Sequence, residues 1–314
     1  MTENLYPDGK KFAFTVFDDT DGSTVENVKP VYDFLEEIGL TTTKSVWVFP
    51  PRGRDAGSCL QDAEYLVFIK HLASRGFEVG LHNVGDGCFS RKEIIEGFGV
   101  FRNLLGYYPA IHANHVSNPD NLYWWGRRFE WPTRVAYAVA SRCLKRRVGV
   151  GGEEPSSPCF WGDISKKHLK YIRNLTFNDI NTLKMDPRMP YEVDRKSECS
   201  NYWFSSSDGH TVDEFIELIS SSNLDRLERE GGACIVYTHF SSCFVRADGS
   251  LHPEFESRMR DLASRQGWFV PVSTLLDYLE RGHAGNVRVG FFYRFGIEIR
   301  WFIDRVFKKM RTNR

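Results

Sequence analysis

The chain is short of the features that mark secreted, membrane-spanning or nucleic-acid-binding proteins. Its seven cysteines, Cys59, Cys88, Cys143, Cys159, Cys199, Cys234 and Cys243, stand singly and form no CxxC pair. An odd count without pairing argues against a disulfide framework and for free thiols in a reducing compartment. Net charge is absent: 41 basic residues balance 41 acidic ones, so no global field attracts nucleic acid. No apolar run approaches the length of a bilayer-spanning helix. Residues 1–11 are polar and carry no apolar core of a signal peptide, which sets a cytoplasmic location as the expectation. Internal repeats and low-complexity stretches are also missing. What remains is ordinary globular composition, 41% hydrophobic and 26% charged over 314 residues. That is enough for one large α/β domain or two smaller ones.

Strand-like and helix-like segments alternate along most of this length. Apolar strand patterns fall at residues 12–17, 44–49, 77–81, 108–111, 201–205, 233–237 and 268–272. Helical spacing falls between them, at 25–38, 60–73, 91–105, 212–228, 253–265 and 273–281, several of these closed by glycine. Two further elements are expected near 134–141 and 172–177. Near-continuous apolar strands between amphipathic helices predict a mostly parallel sheet buried on both faces. Seven or eight such units suit a closed (β/α) barrel better than an open sheet. The barrel is expected over residues 1–282, with an irregular, aromatic-rich insertion at about 117–200.

The run Phe17-Asp18-Asp19-Thr20-Asp21-Gly22 is the strongest chemical signal. It places three acids within four residues at the end of an apolar strand. Carboxylates that close repel one another, and burying them is costly unless a positive charge sits among them. A divalent cation is the usual solution. Histidines recur at other strand ends: His82 after the third, with Asn83 and Asp86 following, His112 and His115 after the fourth, and His239 after a later one. In a parallel barrel all these ends share one face. Carboxylate plus imidazoles around an open coordination position is the composition of a hydrolytic metal site.

At these residues the chain resembles the polysaccharide deacetylases, the NodB-homology carbohydrate esterases, from about residue 11 to 279. The resemblance implies their distorted TIM-like barrel and makes Asp18 the general base and Asp19 a metal ligand. Gly80-Leu81-His82-Asn83 matches the second motif, whose further histidine four residues on is here Asp86. His82 is then a ligand, and the third comes from Asp86, His115 or His112, with His115 favoured. Ile111-His112-Ala113-Asn114-His115 stands where the family has an arginine, and that leaves Asp18 without its cationic partner. His112, Asn114 and Trp203 are expected to face substrate. Trp203-Phe204-Ser205-Ser206-Ser207-Asp208 resembles the fourth motif, so Asp208 is expected to steady the catalytic histidine. Val236-Tyr237-Thr238-His239 resembles the fifth and makes His239 the general acid. Asp21 reads as a loop or helix-capping residue, or as one that supports a ligand from behind.

The activity implied is metal-dependent removal of an acyl group from an amino sugar or sugar ester, with zinc favoured over manganese, cobalt or nickel. The substrate expected is a nucleotide- or lipid-linked sugar in surface-polysaccharide or lipopolysaccharide synthesis. The alternatives are a non-catalytic carbohydrate-binding or scaffold member of the same fold, and a metal hydrolase of another bond, such as a deformylase or phosphoesterase. Trp124, Trp125, Trp131 and Trp161 offer rings for sugar stacking. The tail, residues 283–314, mixes Phe, Ile and Trp with Arg and Lys. It reads either as a helix docked on the barrel or as one lying at the inner face of an anionic membrane.

Overall fold

The computed structural model describes residues 6–116, 118–143, 151–282 and 288–312. The basic run 145–147, and tail residues 283–287 and 313–314, lie outside the described residues. In chain order the strands are β1 Phe12–Asp18, β2 Thr43–Val46, β3 Glu78–Leu81, β4 Ile111–His112, β5 Tyr171–Phe177, β6 Glu192–Val193, β7 Tyr202–Asp208, β8 Ala233–Thr238, β9 Gly267–Phe269 and β10 Arg288–Val289. The α-helices are α1 Val25–Glu37, α2 Ala63–Ser74, α3 Arg91–Leu105, α4 Trp131–Cys143, α5 Gly162–His168, α6 Thr182–Met185, α7 Val212–Leu218, α8 Ser221–Glu230, α9 Pro253–Ser264, α10 Val272–Gly282 and α11 Phe291–Thr312.

Seven parallel strands close a barrel in the order β1-β2-β3-β4-β5-β7-β8, with β8 returning to β1. Strand β1 is its hub, and all seven of its residues are buried. Its first half pairs with β9, its second half with β2, and its whole length with β8. Such a strand carries apolar side chains on both faces, one set toward the barrel axis and one toward the helices. The short β6 and β10 form a separate parallel pair.

The elements form close to where the apolar spacing placed them, with one helix split and one strand shortened. The span 212–228 is two helices, because Ser220 adopts an extended backbone and begins α8 afresh. Strand β2 ends at Val46; Val48 and Phe49 instead give their N–H groups to the Val84 carbonyl, tying two loops at the barrel mouth. Thr24, not an aspartate of the acidic run, caps α1, through a reciprocal pair with Asn27. Thr211 likewise caps α7, so Asp208 is free of that duty.

The terminal helix α11 docks by its inner face. Arg294 and Glu298 pair at 3.0 Å in full burial, and the Glu298 carboxylate accepts the Glu130 N–H and the Thr133 hydroxyl. Trp301 and Phe302 pack on Phe129. Further along, Arg305 and Lys308 reach Asp208 at the end of β7.

Candidate active site

All the chemistry-bearing strand ends open on one cavity of about 570 Å³, walled by Asp19, Asp21, Asp55, His82, Asn114, Trp124, Arg128, Arg173, Asn174, His210, Tyr237 and His239 among others. The alternation of β1 decides which aspartates reach it. Successive strand residues point to opposite faces. Phe17 and Asp19 face the barrel axis, where both touch Arg173. Asp18 faces the helix layer. There its carboxylate accepts from Lys44 Nζ at 2.7 Å, from the Tyr32 hydroxyl at 2.9 Å and from the Phe240 N–H at 2.9 Å. Asp18 is fully buried and is not part of the cavity wall, so the residue expected as the base sits behind the site.

Asp19 is held in a two-pronged ion pair by the Arg173 guanidinium, one arm at 2.9 Å. Burial works to raise its pKa, but Arg173, His82 and His239 outweigh it and hold the carboxylate below its ordinary range. A cation that the Ile111–His115 segment lacks thus stands on β5, paired with Asp19 and not with Asp18. An arginine in the otherwise apolar run Tyr171-Ile172-Arg173 was the available signal.

Asp21, expected to be peripheral, is central. Gly22 turns the chain at φ +70°, and Ser241 holds the Asp21 carbonyl by its hydroxyl. The Asp21 carboxylate then lies 3.3 Å from His82 Nε2, 3.2 Å from His115 Nε2 and 2.8 Å from His239 Nε2. Burial opposes its charge, yet the three imidazoles hold its pKa well below normal.

The tautomers of two of these histidines follow from their outer partners. His82 Nδ1 lies 3.0 Å from the Ala113 carbonyl, which only accepts, so Nδ1 carries the hydrogen. The Asn118 amide is oriented by donating to the Gly85 carbonyl and accepting from the Gly87 N–H. Its oxygen therefore accepts from His115 Nδ1 at 3.0 Å. Both rings turn a bare Nε2 toward Asp21 Oδ1, and these three buried atoms have no hydrogen-bond partner. They lie within 4.8 Å of one another. Three acceptors facing each other need a positive charge between them. In the protein alone a proton serves: burial lowers the His115 pKa, but Asp21 and Asp86 overcome this and push it up to about 9. The donor set, two Nε2 lone pairs and a carboxylate with each ring's Nδ1–H anchored behind it, also fits a zinc-like divalent ion.

Asn83 completes the arrangement. It adopts the left-handed region at φ +52°, and its amide oxygen accepts the His115 N–H at 2.9 Å, locking the two histidine loops together.

The other expected residues divide clearly. His239 lines the cavity; burial lowers its pKa, but Asp21 and then Asp19 and Asp18 raise it overall. Asp208 makes no hydrogen bond or ion pair with His239 and instead binds Arg305 at 2.7 Å and Lys308 at 3.0 Å, so it anchors α11. Asp86 is buried behind His115, 3.5 Å from its Nδ1, accepts the Asp55 N–H and is not part of the cavity wall. Asp55 itself comes within 3.2 Å of His115 Nε2. His112 belongs to the core under Trp161, where burial drives its pKa down to about 3. Asn114 lines the cavity, but its amide is spent on the Leu122 backbone. Trp203 is buried, with Nε1 on Ser200. Of the tryptophans, only Trp124 belongs to the cavity wall. His210 also lines it, its ring 4.6 Å from that of His239.

Arg128 is a further unforeseen wall residue. It ends a 3₁₀ turn at Trp125–Arg128, lies over the Trp124 ring at 4.0 Å and is 92% buried (8% exposed). Its neighbours Arg173, Arg294 and Arg305 each have a carboxylate partner. Among the described residues Arg128 has none; a guanidinium nitrogen donates to the Asn174 carbonyl. Burial, with the charges of those three arginines, lowers its pKa to about 9.

No protein-family model matches the chain, and no curated protein is detectably related to it by sequence. Solved structures do match. A Mycobacterium smegmatis protein assigned as a polysaccharide deacetylase superposes with a TM-score of 0.53 at 12% identity, over 91% of this chain and 96% of its own. The fold is that of the polysaccharide deacetylases. A second protein so assigned, from Pseudomonas aeruginosa PAO1, aligns over 89% of this chain and 94% of its own, with a TM-score of 0.51 at 11% identity. The allantoinase PuuE also superposes on this chain, with a TM-score of 0.52 at 12% identity over 89% of this chain and 94% of its own.

Proposed function

We propose that this chain is a metal-dependent hydrolase that removes an acyl group from an amino sugar or sugar ester. The observation that carries the reading is the trio of orphaned acceptors on Asp21, His82 and His115, set beside a carboxylate and an imidazole suited to moving protons. Those three residues would hold the metal. A divalent ion there supplies Lewis-acid polarisation of the acyl oxygen.

The chain's own groups do the rest. Asp19 takes the role first given to Asp18: it accepts a proton from the attacking water, while Arg173 keeps the carboxylate charged and aimed. The water oxygen bonds to the acyl carbon, and the bond to the sugar nitrogen or oxygen breaks. His239, kept protonated beside Asp21, gives its proton to that leaving atom. Asp21 thereby takes over the orienting role expected of Asp208.

Arg128 supports a substrate with an anionic group. A buried cation without a counterion is costly, and a phosphate from a nucleotide- or lipid-linked sugar would complete it. Because an allantoinase shares this barrel, the decisive assay sets the substrate classes side by side. Zinc-loaded protein is expected to release acetate from UDP-N-acetylhexosamines, and to leave allantoin intact. Protein that takes up no divalent ion, with a thermal midpoint indifferent to zinc and chelator, would end the proposal. Turnover of allantoin alone would move it to another substrate class.

A further inference from the structure

Helices α4 and α11 lie side by side and carry a broad apolar surface that no other described residue covers. On α4 this surface comprises Trp131, Val135 and Val139, 72%, 50% and 57% exposed and spaced four apart along one face. On α11 it comprises Phe292, Ile299, Ile303, Val306, Phe307 and Met310, with Phe292 87% exposed and Phe307 60%. A groove of about 350 Å³ between the helices, lined by Pro132, Ala136, Phe295, Ile299 and Ile303, makes the two stripes continuous. Single exposed apolar side chains are ordinary, but nine on two adjacent helices form a patch of the kind that marks an interaction site.

The charges choose the occupant. Helix α11 carries six cationic residues and two acidic ones. Its acids are consumed at the docked face: Glu298 is buried against Arg294, and Asp304 accepts from Arg305 and the Asn178 N–H. At the outer face Arg134 and Lys309 are exposed and, among the described residues, have no carboxylate partner, whereas Arg300 donates to the Lys184 and Met185 carbonyls of the barrel. A second copy meeting this surface through a two-fold axis would set those cations against their own images. An anionic lipid surface answers both the apolar stripe and the excess positive charge. Large aromatic and aliphatic side chains flanked by Arg and Lys are the composition of a helix lying in the bilayer interface. No described helix is long and apolar enough to cross the membrane, so the contact is peripheral.

We infer that the paired faces of α4 and α11 dock the protein on an anionic lipid bilayer. The docking helix also touches the cavity rim, since Arg305 donates to the carbonyl of Thr176, a wall residue. Binding would thus bring the active-site mouth close to lipid. This rests on the two helices alone and stands whether or not the deacetylase reading does.

The test is flotation of the full chain with vesicles of equal phosphatidylcholine and phosphatidylglycerol, against phosphatidylcholine alone, at low and at 0.5 M salt. The expected result is binding to the anionic vesicles that falls with salt. Ile303→Glu with Phe307→Glu should abolish it at unchanged thermal midpoint, since both side chains are exposed. Arg134→Gln and Lys309→Gln should weaken it about fivefold each. Failure to float with anionic vesicles overturns the inference, as does equal binding to neutral ones. A stable dimer in light scattering, dispersed by the same glutamate pair and indifferent to vesicles, overturns it in favour of self-association.

Discussion

Replacing Asp18 with asparagine separates the two aspartates of the pair, because the structure gives them opposite duties. Asp18 spends its two oxygens on three donors: Lys44, Tyr32 and the Phe240 N–H. Asparagine offers one acceptor oxygen and turns an NH₂ toward a donor, so one partner is lost. It also removes the charge facing Lys44, which is itself fully buried. Burial opposes the Lys44 charge, but Asp18 raises its pKa above normal, so the ammonium is present and would be left with Ser23 and a neutral amide. Breaking a buried pair from one side costs about 3–5 kcal/mol. For a chain of 314 residues this lowers the thermal midpoint by about 5–8 °C. Below that midpoint, acyl hydrolysis per folded molecule should stay within about tenfold of wild type. Removing Lys44 as well, as methionine, should restore part of the loss, because the orphaned ammonium goes with it. Asp19→Asn also leaves a buried cation, Arg173, without its carboxylate, and should abolish turnover as well as cost stability. The assay is calorimetry alongside acetate release at 25 °C. An Asp18→Asn protein with an unchanged midpoint and activity down by about a thousandfold would refute the assignment and make Asp18 the base.

Three further outcomes follow from the same geometry. Asp21→Asn or His82→Ala should lose stoichiometric zinc and the zinc-dependent rise in thermal midpoint, whereas Asp86→Ala should weaken zinc by only about 10–100-fold, as supporting residues do. Arg128→Gln should raise KM for a phosphate-bearing acetylated sugar by about 30–100-fold with kcat little changed, while an uncharged acetylated sugar is unaffected; equal losses for both would assign Arg128 to the fold instead. Acid should loosen α11: burial raises the Asp208 pKa, but Arg305 and Lys308 bring it below the ordinary carboxylate value. A depressed pKa means its contribution, about 1 kcal/mol for cations this exposed, is complete above about pH 4 and fades as pH falls through the folded value. Limited proteolysis should therefore release the terminal helix earlier in Asp208→Asn at neutral pH, and in wild type only at acid pH.

The barrel was legible because its signal is additive. Each apolar strand between amphipathic helices restates the same layered solution, and three of the four strand-end histidines, His82, His115 and His239, converge on one face. Individual roles were harder to read. Asp18 and Asp19 are neighbours in sequence but point to opposite sides of β1, and no pattern in the run says which side is the lumen. The clue lay elsewhere: Lys44, opposite Asp18 in the β1–β2 register, is a charge inside a buried strand. Arg173 is the same kind of clue on β5. Asp208 misled because a strand-end acid before a helix has several possible partners, and its partner here comes from α11, about a hundred residues away. The Asn118–His115 contact that fixes a tautomer depends on loop geometry that local spacing does not encode.

The altered second motif is better understood from the centre outward than along the chain. What the chemistry needs is two bare imidazole nitrogens and a carboxylate oxygen around one point, with each ring's other nitrogen anchored. It does not need both rings on one loop. Here the β3 loop keeps His82 and puts Asp86 where the second histidine of the resemblance would stand. The β4 loop supplies His115 from the neighbouring strand, and Asn83 bridges the two. Asp86 retains a part in the site by backing His115 from behind. The lost position therefore cannot simply be refilled: Asp86→His would push a ring into the space where Gly53 packs so tightly that a Cβ added there would lie 2.3 Å from the Asp86 carboxylate. The substitution should cost stability and zinc together, rather than rescue zinc binding in His115→Ala. Recovery of zinc in the Asp86→His, His115→Ala double variant would show that the two loops are interchangeable and that the β4 histidine is no more than a spare.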